Sequence, residues 1–539
     1  MTASSDSPDS SGNPDSSGNT DSSGSPARTD ILAALLAACR AHGERPALTG
    51  RRVTLTYADL LRRVSSTAAG LRSMGFLPGD RVLFSVRPGV DGIVLALGII
   101  ASGGTVVFAD PGAGEAMFRA RAGLAAPRWV AAESLLYFAS SRPLRGVARR
   151  RGIELPDYSS VVPEARHLYA GRWLPGVPRT ATSIRDLLDA PAGPLEPRVR
   201  AEHEALIIFT SGSTADPKAV VHSRASLGTG LAGFAERTRL APGDRLLTDQ
   251  LMIGIPALIA GAHWTLPSPG ADPGAKPASY LDDLPETDVL FMVPAALDAL
   301  LRLLDADPAR APRLSTLLIG GAPVLRPLLE RARSRFPDAR ILAIYGMTEI
   351  LPVAIAEAGE KLAYVGAGDF VGEPLPAVEA SIVAGELVLA GQGLALGYLG
   401  HGPLTYLGTG DLARLDHGRL ILLGRAKDMF IRGSTNVYPG LYEPVIAGLD
   451  GVAEVAMVGV PDMIGDDRIV LVVVPATDAP ATLTARHPLL PAVTAALPGL
   501  IDAAVLPDRV LAIDALPLSG RSGKLDRAAL IETVREFLP

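Results

Sequence analysis

Lysine is scarce in this 539-residue chain: of 51 basic residues, 46 are arginine, and only Lys218, Lys276, Lys361, Lys427 and Lys524 are lysine. The bias accompanies abundant alanine, glycine and proline and reads as codon composition. It matters chemically all the same, because lysine is a compact, flexible point charge that arginine replaces poorly around phosphates. Cysteine is scarcer still. Cys39 stands alone, which excludes an internal disulfide framework and any multi-cysteine metal site and points to a reducing compartment. No block of Lys/Arg occurs and the net charge is −6, so nucleic acid is not expected as a main partner. The start Met-Thr-Ala-Ser-Ser-Asp has neither a basic nor an apolar signal region, and a cytoplasmic location is expected.

Long apolar runs are almost absent. One without charge, Gly92 to Ala109, contains Gly98, Ser102, Gly103, Gly104 and Thr105 and ends in Val106-Val107-Phe108, a pattern that predicts a buried helix turning into a buried strand rather than a membrane span. What is present is a globular composition, 48% hydrophobic and 20% charged, with length for about three to four domain-sized units.

Residues 1–26 are a separate object: Pro8-Asp-Ser-Ser-Gly-Asn13 recurs as Pro14 to Asn19 and, varied, as Thr20 to Ser25. Such a segment is too polar to offset its ordering entropy and is expected to be a disordered leader. It carries four aspartates and no base, which leaves −2 for the rest.

Beyond it, Thr29-Asp30 cap a helical pattern with Ile31, Leu32, Leu35, Leu36 and Cys39 on one face. A second helix is predicted from Tyr57 to Met74, with Leu60, Leu61, Val64, Ala68 and Leu71 inward and Gly75 as its stop. Strand-like runs at Arg81–Phe84, Thr105–Ala109, Leu206–Phe209, Val289–Val293, Thr316–Ile319 and Arg340–Ile344 alternate with helical stretches, which implies an α/β architecture with largely parallel sheets. After Gly385 the texture changes to strands and turns, and residues 440–539 mix helices and strands again. The expected organisation is α/β: a large N-terminal domain, 27–425, with parallel-rich sheets and a small β-rich subdomain, followed by a small, mobile α+β lid, 426–539.

The first chemical motif is Phe209-Thr-Ser-Gly-Ser-Thr-Ala-Asp-Pro-Lys218, directly after a predicted strand. Hydroxyls, a glycine and a lysine in a loop leaving a parallel strand can wrap a polyphosphate with backbone N–H, O–H and ammonium donors. The Walker spacing is absent, and in isolation a Ser/Thr-rich surface turn would look similar. Five further strings follow in order: Gly320-Gly-Ala-Pro323; Ile344-Tyr-Gly-Met-Thr-Glu349; Thr409-Gly-Asp411; Gly424-Arg-Ala-Lys-Asp428 with Asn436-Val-Tyr-Pro439; and Ser519-Gly-Arg-Ser-Gly-Lys-Leu-Asp-Arg527.

In this order and at these distances the strings resemble the adenylate-forming superfamily of acyl-CoA synthetases, fatty acyl-AMP ligases, luciferases and peptide-synthetase adenylation domains. The resemblance spans residue 30 to the end. It implies that Thr210, Ser211, Gly212, Ser213, Thr214 and Lys218 hold the β- and γ-phosphates of ATP. Gly321, Ala322, Pro323, Tyr345 and Gly346 would form the adenine slot, with Thr348 at the α-phosphate and Glu349 on Mg²⁺. Asp411, assisted by Arg425, would accept the ribose hydroxyls. Lys427 would be the hinge and Lys524 the catalytic cation bridging carboxylate and α-phosphate. The residue types suit the chemistry, since a carboxylate attacking a phosphate needs a metal and a mobile ammonium to neutralise charge. The acceptor implied is the pantetheine thiol of coenzyme A or of a separate carrier protein, because no carrier signature is seen in the chain. The expected substrate is a small, apolar, fatty-acid-like carboxylic acid.

Departures from the family pattern set further expectations. Ala215 and Ala219 replace usual glycines and would be strained by about 1 kcal/mol at any position needing φ > 0. Arg224 stands where histidine is common, Asp249 to Ile255 lacks the usual gate residue, Gly433-Ser434-Thr435-Asn436 replaces a more usual Gly-Gly-Glu-Asn, and Leu441 replaces a glutamate before Glu443. Leu251 to Leu258 could wall an acyl pocket, with Gly254 opening depth in it, or could be plain core. Ala109-Asp-Pro-Gly-Ala-Gly114, Tyr345 to Val353, Gly366-Ala-Gly368 and Val371-Gly-Glu-Pro374 look like β-lactone synthetases, which keeps cyclisation of a β-hydroxy acyl-adenylate open as an alternative. A degenerate nucleotide- or acyl-binding protein on the same fold is the reading of another class. Lys276 and Lys361 are expected to be ordinary surface charges.

Overall fold

The computed structural model describes residues 28–50, 53–109, 115–141, 155–195, 199–210, 218–268, 270–271, 276–432, 435–461, 467–501, 505–519 and 524–538. The leader, residues 211–217, the string 110–114, residues 433–434 and residues 520–523 lie outside them, so the expectations placed on those positions are not addressed by it.

The charge-free run becomes the helix Val90–Ala101, followed by the strand Thr105–Phe108. Every residue of that helix except Asp91 is buried, which is why it reads as apolar all round. Gly98 has a packing reason: a Cβ there would lie 2.4 Å from Thr67 Cγ2 of the helix Tyr57–Ser73, so the missing side chain lets the two helices close. Asp30 caps the helix Ile31–His42 by accepting from Leu32 N, and the five predicted inward residues of that helix are buried.

Two large sheets result. In the eight-stranded one the order runs Gly397–Tyr398, Ala219–Ser223, Glu204–Phe209, Thr105–Phe108, Arg81–Ser85, Trp129–Glu133, Arg166–Ala170, Thr182–Ser183. It is parallel from Glu204–Phe209 onward, and the two strands at the other end are antiparallel. Arg81 forks onto both oxygens of Glu204 at 2.7 and 2.9 Å, bracing strands that flank Thr105–Phe108. The thirteen-stranded sheet is parallel through Pro46–Gly50, His263–Thr265, Arg245–Leu247, Val289–Met292, Thr316–Gly320 and Arg340–Met347. It then turns antiparallel through Ile350–Glu357, Asp369–Pro374, Arg419–Arg425, Leu407–Asp416 and Glu386–Ala390 to Glu379–Val383, the β-rich texture expected after Gly385.

The small C-terminal domain is built on Val452–Pro461, Asp467–Pro475 and Arg509–Ala512, with helices Pro439–Ile446, Leu489–Ala496 and Arg527–Arg535. Arg527 ties it together: its guanidinium forks onto Glu443 at 2.8 and 2.8 Å, donates to Met457 O at 2.8 Å and reaches Asp428 at 3.3 Å. No described helix is long and apolar enough to cross a membrane.

Three expectations are corrected here. Lys361 is not a surface charge: its side chain is 8% exposed and its ammonium pairs with Asp369 and donates to Phe370 O at 2.7 Å, while Lys276 is exposed as expected. Gly254 opens no pocket depth, because the space its Cβ would take is filled by the Trp264 indole, 2.1 Å away. Ala219 carries no left-handed strain: it lies in a regular strand opposite Phe209 and is absent from the positive-φ positions.

Candidate active site

The loops at the carboxyl ends of the parallel strands converge with the antiparallel end of the larger sheet, the place where α/β sheets bind ligands. Tyr345 lies near the end of Arg340–Met347, and Gly321, with φ +90°, turns the chain out of the neighbouring strand Thr316–Gly320 ahead of Ala322 and Pro323. Asp411 and Arg425 are direct cross-strand partners on neighbouring antiparallel strands. Arg425 Nε lies 2.8 Å from Asp411 Oδ1, and Tyr345 Oη donates to Oδ2 at 2.6 Å. Asp411 is 4% exposed, so these partners compensate a desolvated charge. Its backbone is fixed as well: Asp411 N donates to Thr409 Oγ1, and Thr409 Oγ1 donates to Leu387 O. Burial first, then the Asp411 charge, pushes the Tyr345 phenol up, so it stays a donor. Two of the four carboxylate lone-pair sites remain for a ligand.

Thr348 and Glu349 are the two residues of a hairpin turn between the paired Met347 and Ile350. Neighbouring elements hold this turn. His222, on Ala219–Ser223, donates through Nε2 to Thr348 O at 2.7 Å, with Ser226 Oγ 3.2 Å from Nδ1. Burial drives the His222 pKa down, against the smaller influences of Thr348 O and Glu349, so the ring is neutral. Ala395 N donates to Glu349 O at 2.8 Å, and Tyr398 Oη donates to Glu349 Oε1 at 2.7 Å.

Thr210 and Lys218 bracket residues 211–217, with Thr210 N donating to Lys218 O at 3.0 Å. Lys218 is exposed and its ammonium lies 5.8 Å from the centroid of the Tyr398 ring. Ser211, Gly212, Ser213 and Thr214 lie outside the described residues. From the C-terminal domain, Lys524 comes within electrostatic reach of Arg425, Asp411, Lys427 and Glu349. Desolvation first, then Arg425 and Lys427, hold its pKa below the usual lysine value, against Asp411 and Glu349. Lys427 itself is exposed, in the single turn Ala426–Asp428 after Arg419–Arg425.

Arg224 stands elsewhere: 2% exposed, it pairs with Asp30 at 3.1 Å and donates to Val199 O at 2.8 Å, securing the N-terminal helix cap. Ile253, Phe291, Ile344, Tyr345 and Met347 are half-buried and packed on one core cluster. Sequence reasoning missed His222 and Tyr398. Neither carries a distinctive pattern, since each matters only through the turn it meets in space.

An AMP-binding enzyme family model matches residues 35–399, and an AMP-binding enzyme C-terminal domain model matches 442–524. The chain belongs to the AMP-binding enzymes. It is thus a member of the adenylate-forming superfamily and a ligase by family. A feruloyl-CoA synthase from Amycolatopsis sp is 30% identical over 461 residues, covering 78% of this chain and 84% of the relative. An isonitrile lipopeptide synthase from Streptomyces coeruleorubidus is 30% identical over 514 residues, and the match spans 88% of this chain but only 32% of that far longer protein. Among solved structures, ATP-bound MatB from Rhodopseudomonas palustris superposes with a TM-score of 0.75 at 24% identity over 95% of this chain and all of the other, a likeness of fold.

Proposed function

We propose that this AMP-binding enzyme uses ATP to activate an apolar carboxylic acid as its acyl-adenylate, releasing pyrophosphate, and then passes the acyl group to a pantetheine thiol of coenzyme A or a carrier protein. The observation that carries the reading is the meeting of Asp411, Arg425, Tyr345, Glu349 and Lys524, drawn from two domains, at one cleft. The buried, doubly anchored Asp411 suits a pair of ribose hydroxyls, and Gly321, Ala322 and Pro323, which follow the strand beside the one carrying Tyr345, would receive a flat base packed on that ring.

Glu349 fits a magnesium ion: one carboxylate oxygen is held by Tyr398 and the other makes no hydrogen bond to a described residue. Phosphate oxygens and water would complete the shell of an ion held there. When bound, Mg²⁺ supplies Lewis-acid neutralisation of phosphate charge. The remaining work belongs to side chains. Lys218 and Thr210 hold the distal phosphates, Thr348 orients the α-phosphate, and Lys524 brings a cation to the attacking carboxylate and the phosphorus it attacks. Lys427 is the proposed hinge, with the domains dividing at about residue 425 and the C-terminal domain moving between the two steps. An apolar acid is the reading taken from the sequence, and feruloyl-CoA synthase as a relative extends the candidates to aromatic acids.

The test is pyrophosphate release from ATP and Mg²⁺ with a panel of alkanoic, β-hydroxy and cinnamic acids. Mass spectrometry of the products with and without coenzyme A then separates acyl-CoA, acyl-AMP and a dehydrated β-lactone. No pyrophosphate above background with any acid would sink the catalytic reading.

A further inference from the structure

We propose that Tyr398 is a positioning residue: it fixes the carboxylate of Glu349 for the metal and couples that carboxylate to Lys218 on the phosphate side. The proposal rests on the roles given above to Glu349 and Lys218. Its hydroxyl donates to Oε1 at 2.7 Å. A carboxylate held at one oxygen has its plane set and presents the other to a hard cation in a defined direction, as hydrogen-bonded partners of metal ligands do.

The other face of the same side chain meets the phosphate side. The Lys218 ammonium lies 5.8 Å from the ring centroid, within the range of a cation–π contact. The backbone explains how one residue reaches both. Tyr398 pairs with Val220, two residues beyond Lys218, while Leu394 bridges Ile350 and Ala395 N donates to Glu349 O. Segment 394–398 is therefore stitched to the turn at one end and to the strand leaving the phosphate loop at the other. Gly397 serves the loop that follows: it has φ +157°, and a Cβ there would lie 2.8 Å from Gly402 O. A tyrosine serving only to cover a sheet edge would change stability and leave metal dependence alone.

The experiment reads binding rather than turnover. Mg²⁺ is titrated calorimetrically into the full chain holding a non-hydrolysable ATP analogue, for wild type, Tyr398→Phe, Glu349→Gln and the double variant. Loss of one hydrogen bond to a charged group predicts a Mg²⁺ midpoint raised about tenfold in Tyr398→Phe. Analogue affinity without Mg²⁺ stays within about twofold, because the ring beneath Lys218 remains. In the Glu349→Gln background the second substitution adds nothing, the signature of residues that act through one another. An unchanged midpoint in Tyr398→Phe, or an equal shift in both backgrounds, overturns the proposal. A wild-type midpoint in Glu349→Gln alone overturns instead the metal role of Glu349. Thermal unfolding accompanies each titration, and Tyr398→Leu, which also lacks a donor and is expected to raise the Mg²⁺ midpoint in the same way, replaces Tyr398→Phe if that variant does not fold.

Discussion

Arg425 and Lys524 both bring positive charge to the neighbourhood of Asp411, by opposite constructions. Arg425 is opposite Asp411 on the next strand and pairs with it at 2.8 Å, while Tyr345 takes the second oxygen. The Lys524 ammonium makes no hydrogen bond to a described residue and comes from the C-terminal domain within electrostatic reach of Asp411 and Glu349. A binding subsite must be in place before the ligand arrives, so its charges are cross-braced. On the proposed mechanism, a cation used in only one of two steps would have to stay unbraced to be able to leave.

That contrast can be broken most sharply at Lys524. Lys524→Ala is expected to slow pyrophosphate release about 10²- to 10³-fold, by analogy with removal of one charge-stabilising donor. Nucleotide binding, measured separately, should move far less. Full activity in the variant would make Lys524 a bystander and erase the comparison. Braced groups, wherever they lie in the molecule, should instead fail by unfolding. Arg527→Ala strands Glu443 and Asp428 in the C-terminal domain and is expected to cost about 3 kcal/mol, visible as a lowered denaturation midpoint. Gly254→Ala, which forces a methyl into the Trp264 indole, should cost about 1–3 kcal/mol without altering chain-length preference.

The smallest effect is a shift along the pH axis. Because Lys524 is held below the ordinary lysine pKa and its protonated form is the useful one, adenylation falls as pH rises through that lowered value. The alkaline limb should therefore begin below the ordinary lysine value of about 10.4. Saturating ATP moves the limb upward, since phosphate favours the ammonium, and Lys524→Arg removes it. Single-turnover pH–rate profiles decide this, and a limb unchanged in Lys524→Arg would assign the titration elsewhere.

Much of the fold was legible because it depends on periodicity. The helix starting after Asp30, the run turning from helix to strand, and the parallel strands of both sheets follow from local apolar patterns. What was illegible depends on distant pairing. Nothing near Lys361 in sequence announces that Asp369 will enclose its charge, and Gly254 looks like open space until Trp264 fills it. The same holds for His222 and Tyr398, whose meeting with residues 348–349 is set by strand order rather than by any motif.

His222 has a practical consequence. Its ring is shielded, neutral and fixed as the Nε2–H tautomer by the Thr348 carbonyl, yet it lies behind the turn rather than in the cleft. It is therefore a built-in spectroscopic reporter. The ¹⁵N resonances of its imidazole should ignore mild acidification and respond when an occupant displaces the Thr348–Glu349 turn, so that ligand arrival can be followed in the unmodified protein without a dye or a turnover assay.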